Sequence, residues 1–220
     1  MLSHSSLSTA LTFLRSVLSG RLKMYVGQEE KIVLSGTAYY QDDSPFAQFL
    51  GTHQPSFQEY ILLLLALVPH IQPNFFNRII AEYLPEGGDF PEFGGAKALN
   101  HRGILPTGET AQFVLAGDDL EQRLEVQRLL GSEHWLAQKG ILHLETVREG
   151  EPVMSGRLLL DSEVVEILTI GTISKPRFSV DFPAERIQTA MDWDDLVLLP
   201  STLRQIREVE NWVAHNNTLL

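Results

Sequence analysis

Cysteine is absent from the 220-residue chain, and its absence excludes several chemistries at once. Disulfide scaffolds, cysteine-ligated zinc, iron–sulfur clusters and thiol nucleophiles all require it. Basic residues are scarce too: 17 Lys and Arg face 28 Asp and Glu, a formal net charge of −11. This balance argues against non-specific nucleic-acid binding and against adhesion to anionic lipid, because both need cations.

Long hydrophobic runs and targeting signals are missing as well. The longest apolar run, residues 60–68, is far shorter than the ~20 residues that span a bilayer. The first seven residues lack the basic region and apolar core of a secretory signal. We therefore expect a soluble, cytoplasmic protein with no membrane partner.

Catalytic motifs are equally scarce. None of the seven histidines lies four residues from another, and no H-E-x-x-H or G-x-S-x-G sequence occurs. The nearest approach to a phosphate-binding loop, residues 94–97 (GGAK), lacks the upstream glycine and the hydroxyl after Lys97. We expect no catalytic residue, no metal site and no cofactor bound by this chain alone. A stand-alone enzyme with an unrecognised site is the third-ranked alternative.

Helical patterns dominate the first hundred residues. Five leucines at spacings of three and four, at positions 7, 11, 14, 18 and 22, predict a first helix. Ser56 and Glu59 form a capping box before an apolar helix that Pro69 should end, and a second helix should run from Pro73 to Pro85. Residues 85–106 predict a long loop, anchored by five apolar side chains: Phe90, Phe93, Leu99, Ile104 and Leu105.

The following residues predict three short helices and a hairpin. The first helix covers residues 107–115. The second begins with a capping box at 118–121 and ends at Gly131, and the third covers residues 132–139. Strands at 141–147 and 152–160 flank a loop at 148–151, and a further helix covers 162–170. Three helices and a hairpin are typical of a winged helix. The predicted fold class is therefore α+β, mostly helical: a helical bundle (1–100), a winged-helix-like domain (101–180) and a C-terminal linker helix (181–220).

A winged helix raises the alternative of DNA binding through its third helix. Residues 101–170, however, contain six cations against twelve anions, and the third helix offers only Lys139 as a cation. This negative charge would repel DNA. We therefore expect no nucleic-acid partner, and a protein-interacting winged helix is preferred over a DNA-binding regulator.

Several stretches near the C-terminal end resemble a known family. Residues 192–197 (DWDDLV), followed by a helix from Pro200 with Leu203, Ile206, Val209 and Val213 on one face, resemble the segment that leads into AAA+ ATPase cores. Together with residues 101–110, 115–119 and 211–220, they are similar to the N-terminal region of a bacterial AAA+ ATPase family with a winged helix before the motor. The resemblance covers about residues 55–220, and the chain stops before a Walker A motif.

The resemblance implies a non-catalytic adaptor domain that recruits a protein substrate or partner to its own AAA+ ATPase core. It places Asp195, Leu196 and Val197 at the adenine of ATP, although only with the missing core, which would bind ATP and magnesium. Val197 stands where that family usually has glycine. Trp193 and the apolar run at 196–199 need a partner surface, so we expect this stretch to pack against the ATPase core.

Overall fold

A computed structural model describes residues 5–28, 42–87, 90–174, 195 and 197–219. The chain divides into two compact units, residues 1–174 and 175–220. The first unit contains eight helices and two strands in its described part: α1 (Ser5–Tyr25), α2 (Pro45–His53), α3 (Phe57–Ile71), α4 (Phe75–Tyr83), α5 (Gly108–Leu115), α6 (Leu120–Leu129), α7 (Trp135–Gln138), β1 (Leu142–Leu144), β2 (Leu158–Leu160) and α8 (Ser162–Ile170). No helix in these described ranges is both long and apolar enough to cross a bilayer.

The centre of the first unit is α3, which is buried without a break from Tyr60 to Pro69. A helix that is apolar on every side must be surrounded, and α1, α5 and β2 all pack against this one. Its predicted capping box is confirmed: the Ser56 hydroxyl accepts from the Glu59 N–H, and the Glu59 carboxylate accepts from the Ser56 N–H.

The predicted end of α3 at Pro69 is wrong. The helix continues to Ile71 with Pro69 inside it, and the Gln72 N–H donates to the Val68 carbonyl. A proline inside a helix costs about 3 kcal/mol. Packing of the surrounding apolar side chains outweighs that cost, because Pro69 is buried and the residues from Tyr60 to Val68 before it lie in the core.

The leucine stripe of the first segment is confirmed as the buried face of α1, with all five leucines in the core. Near the end of α1, the Arg21 guanidinium donates to the carbonyls of Val114 and Leu115. These carbonyls close α5 and have no partner within their own helix. Arg21 therefore joins the first helix to the fifth.

The long loop is confirmed in part. Residues 85–87 and 90–106 lie outside helices, and Phe93 is completely buried against the core. Leu99, predicted as an anchor, is 96% exposed. That prediction was wrong because the backbones of Ala96 and Leu105 pair with each other, and Leu99 lies in the loop between them, in contact with solvent.

The three short helices are present, with two corrections. The N-cap of α6 is Asp119, whose side chain accepts from the Gln122 N–H, so α6 is capped one residue later than predicted and without the reciprocal bond of a capping box. The third helix shrinks to one turn, α7. His134 caps it by accepting from the Leu136 N–H, and Gly140 ends it at a φ of 64°.

The hairpin is shorter than predicted. Leu142–Leu144 pairs antiparallel with Leu158–Leu160, and a 3-10 turn at Val153–Ser155 occupies part of what was predicted as the second strand. Pro152 directly precedes this turn and has no N–H to donate to a sheet. A connection of residues 145–157 replaces the predicted loop at 148–151.

The described part is mostly helical with a small two-stranded antiparallel sheet, which agrees with the predicted α+β class. The winged helix remains a prediction. So does the domain division at residue 100, although α5 packs on both α1 and α3 across that position. The last helix of the unit, α8, packs on α2.

The second unit contributes α9 (Pro200–Leu219), the helix predicted to begin at Pro200. On its predicted apolar face, Leu203 and Ile206 are half-buried, whereas Val209 is 61% exposed. Trp212 is 59% exposed. The side chain of Val213 lies outside the described part of the chain.

Candidate functional site

The three predicted adenine-pocket residues lie in the second unit. Asp195 is exposed, and Val197 is 97% exposed in a segment that is neither helix nor strand. Leu196 lies outside the described residues, and so does Trp193. An apolar side chain as exposed as Val197 has almost no contact with its own unit. Its predicted role at adenine stays a prediction.

No group of three or more His, Asp or Glu side chains in the described part of the chain is arranged to hold a metal ion. Two other arrangements of titratable side chains stand out in the first unit. One lines an open cavity beside the long loop. The other surrounds the indole of Trp135.

The cavity lies beside a segment that we call the tongue, residues 96–105. Ala96 and Leu105 close its base with two backbone hydrogen bonds of 2.8 and 2.9 Å. The Ile104 N–H donates to Asn77 of α4, and the Gly95 N–H donates to the hydroxyl of Thr107, the N-cap of α5. The base of the tongue is therefore fixed to two helices.

Gly103 fits closely against the connection between α3 and α4. A Cβ atom at this position would lie 1.8 Å from the Pro73 carbonyl oxygen, so no larger residue fits without movement of the backbone. The tongue thus approaches the core at Gly103, whereas its tip, at Leu99 and Asn100, is exposed to solvent.

The cavity beneath the tongue has a volume of about 840 Å³. This volume falls in the usual range of ligand pockets. Its polar wall consists of side chains from three separate parts of the first unit: His70, Lys97, Asn100, His101, Glu145 and Arg157. The apolar wall includes Pro69, Leu99 and Leu105.

Arg157 and Glu145 form a two-pronged ion pair at the cavity wall. Arg157 Nε lies 2.6 Å from one Glu145 oxygen, and Nη2 lies 2.5 Å from the other. The hydrogen bonds from Arg157 lower the pKa of Glu145, so this carboxyl stays ionised. Nη1 has no acceptor among the described residues and keeps its donors available.

The backbone holds Arg157 in place from both sides. Its carbonyl accepts from the Glu145 N–H at 2.8 Å, and it pairs with Thr107 in an isolated antiparallel bridge. The neighbouring Gly156 approaches the Glu145 carbonyl so closely that a Cβ atom would lie 2.3 Å from it. The guanidinium therefore projects from a rigid support.

Two histidines complete the wall. Burial lowers the pKa of His70, and the nearby His101 imidazole lowers it further. The Nε2 atom of His101 is buried and has no hydrogen-bond partner within the described residues. Such an orphaned polar atom costs free energy unless water or a ligand satisfies it.

The second arrangement fixes α7 to the start of α3. Trp135 Nε1 donates to Glu59 Oε1 at 2.7 Å, and His134 Nε2 lies 2.9 Å from the same oxygen. The His53 imidazole stacks on the Trp135 ring with 5.6 Å between centroids, and Lys139 Nζ lies 5.6 Å from the same ring. These contacts are internal, so this cluster is a structural joint.

The contacts of this joint also shift the pKa values of Glu59 and His53. Burial alone would raise the pKa of Glu59, but hydrogen bonds from Ser56 and Trp135 together with the charge of His134 outweigh it, and the net pKa is lowered. Burial lowers the pKa of His53, and the Lys139 ammonium adds to that effect. At neutral pH the joint therefore contains an ionised carboxylate and a neutral His53.

None of the cavity residues was predicted from sequence as a site. Lys97 was considered only as part of a poor phosphate loop, and Arg157 and Glu145 only as contributors to net charge. One signal was available: residues 93–108 contain no Asp or Glu, yet include Lys97, His101 and Arg102. In a chain of net charge −11, such a stretch marks a local excess of positive charge.

Comparison with known proteins gives no relative from which a role could be transferred. No protein-family model matches the chain, and no curated protein or solved structure matches it significantly. The function must therefore be argued from the residues themselves.

Proposed function

We propose that the chain is a non-catalytic adaptor region of an AAA+ ATPase, which presents a protein substrate or partner to the motor. The observation that carries this proposal is the uncovered apolar surface of α9. Val209 and Trp212 are both more than half exposed, and Val197 and Leu199 just before the helix are more exposed still. Exposed clusters of large apolar residues mark contact surfaces.

The position of α9 in sequence agrees with the proposal. It follows the acidic segment, residues 192–195, that resembles the approach to an AAA+ core. In the proposal, the ATPase core covers this surface and supplies the site for ATP and magnesium. Asp195, Leu196 and Val197 then line adenine, and the first unit engages the protein partner.

The alternative of a DNA-binding regulator finds less support. The helix that would read DNA, α7, has four residues, so its axis is about 6 Å long. Its Trp135 and the preceding His134 are held by Glu59. One helical turn is shorter than a recognition helix needs to be to cross the major groove.

The reading frame beyond Leu220 provides the first test. A Walker A motif within a few dozen codons is the expected result, and a stop codon directly after Leu220 would overturn the proposal. The second test is kinetic and uses the longer protein that this frame encodes. Trp212→Ala should lower its ATPase rate, whereas Glu210→Ala, an exposed neighbour on α9, should leave the rate unchanged.

Binding measurements on the 220-residue chain separate the proposal from its rivals. Calorimetric titration with ATP should show no micromolar binding, because the chain has no phosphate loop. Fluorescence anisotropy with a random DNA duplex at physiological salt should show no binding either, because of the net charge. A salt-dependent DNA complex at micromolar protein would favour the DNA-binding regulator instead.

A further inference from the structure

We propose that the cavity beneath the tongue binds an acidic segment of a protein partner. Carboxylates of the segment would contact Lys97 and Arg157, and one of its apolar side chains would contact Leu99. This inference rests on the proposed protein-interaction role and names the chemistry of the partner.

Charge is the first argument. The cavity wall contains two permanent cations, Lys97 and Arg157, against one carboxylate, Glu145, which is already paired. Lys97 has no ion-pair partner within the described residues. The Arg157–Glu145 pair is neutral as a whole, so Lys97 gives the wall a net positive charge, and a positively charged concave surface concentrates anionic ligands. Because the chain as a whole has a net charge of −11, this surface attracts anionic groups that the rest of the protein repels.

The geometry of Arg157 is the second argument. Glu145 occupies Nε and Nη2, while the backbone of Glu145 and Thr107 holds the residue from both sides. The Arg157 guanidinium is therefore already ordered before a ligand binds, and its Nη1 can donate to a carboxylate of the ligand. Donors ordered in advance bind a carboxylate with less loss of conformational entropy.

The size and the apolar part of the wall favour a peptide over a small anion. A volume of about 840 Å³ far exceeds what one carboxylate or phosphate group needs. Leu99 is 96% exposed and lies in the same wall as Lys97. A segment with both acidic and apolar side chains would use both features, whereas a phosphate ion would use only the first.

The test uses fluorescence anisotropy of the full 220-residue chain with labelled synthetic peptides. The probe is the blocked hexapeptide Glu-Leu-Glu-Glu-Leu-Glu, and its matched control replaces every Glu with Gln. We expect saturable binding of the acidic peptide, binding at least about tenfold weaker for the control, and weaker binding as NaCl increases.

Protein variants locate the binding. Lys97→Glu should weaken the acidic peptide by about tenfold or more, and Leu99→Ser should weaken it by about threefold. Both side chains are exposed, so the fold should persist, and circular dichroism verifies this. The matched control is Arg128→Glu, which makes the same charge change on α6 and should leave binding unchanged. Lys97→Gln repeats the test without a new negative charge.

Three results would overturn the proposal. The Gln peptide could bind as tightly as the acidic peptide, or Lys97→Glu and Lys97→Gln could both bind the acidic peptide as tightly as the wild type does. The third result is that inorganic phosphate alone binds more tightly than the peptide. The last result would make the cavity a small-anion site. These failures differ from a failure of the proposed function. If no Walker A motif follows but the peptide still binds, the ATPase proposal fails and the binding site beneath the tongue stands. If a Walker A motif follows but the peptide does not bind, only the binding-site proposal fails.

Discussion

The helices α3 and α9 have 15 and 20 residues, yet the protein uses them in opposite ways. Ten successive residues of α3 lie in the core of the first unit, while α9 leaves Val209 and Trp212 exposed in the second. The difference shows that helix length says little about stability. Tertiary packing surrounds α3, whereas α9 leaves large apolar side chains in contact with solvent.

A matched pair of valines should show the largest difference. Val68→Ala in α3 removes two buried methyl groups and should lower the free energy of unfolding by about 2 kcal/mol. Val209→Ala in α9 removes the same atoms from a largely exposed site and should change it by less than about 0.5 kcal/mol. Urea denaturation followed by circular dichroism measures both. Equal losses would break the contrast between the two helices.

A pair of glycines extends the comparison to the connection after α3. Gly103→Ala would place a methyl group against the Pro73 carbonyl and should lower the free energy of unfolding by about 1 to 3 kcal/mol. Gly51→Ala lies inside α2 with open space around it, and should raise stability by about 0.5 to 1 kcal/mol. Thermal denaturation decides the signs. If Gly103→Ala left the free energy of unfolding unchanged, the backbone of the tongue would have to move away from Pro73 at little cost.

The joint at the start of α3 should give a smaller effect that depends on pH. Glu59→Gln removes the charge that accepts from Ser56, Trp135 and His134, and should lower the free energy of unfolding by about 1 to 2 kcal/mol at neutral pH. Because the folded pKa of Glu59 is lowered, its contribution is complete above its ordinary value of 4.5 and is lost as the pH falls through the folded pKa.

The gap between the wild type and Glu59→Gln should therefore close on acidification, as measured by urea titrations at a series of pH values. His53 and His70 act in both proteins and cancel in the difference. Their lowered pKa values destabilise the fold as the pH falls below their ordinary value of 6.5. A gap that stays open well below pH 4.5 would mean that Glu59 does not accept these hydrogen bonds as a carboxylate.

Trp212→Ala should give the smallest effect on the chain itself. A tryptophan that is 59% exposed contributes little to its own unit, so the free energy of unfolding should change by less than about 0.5 kcal/mol. Calorimetry on the purified chain provides the measurement. A loss of several kcal/mol would assign Trp212 to a core and remove the main support for a covering ATPase.

Prediction from sequence succeeded where the signal was periodic and local. The leucines of α1 and the Ser56–Glu59 box of α3 lie within a few turns of helix, so the pattern contains the information. It failed where remote residues decide. For example, no local pattern indicates that Trp135 of α7 donates to Glu59 at the start of α3. The cavity wall brings together residues near positions 70, 100 and 150, and no local sequence pattern predicts that tertiary contact.

The contact between α2 and α8 has a mechanical consequence. Unit one ends at Ser174, directly after α8, and the turn at Gly171 lies so close to Pro45 of α2 that a Cβ atom there would be 2.5 Å from its ring. Tension applied to the chain beyond Ser174 must therefore peel α8 from α2 before it reaches β2. Arg157 immediately precedes β2, so the cavity wall keeps its shape under load until that first contact gives way.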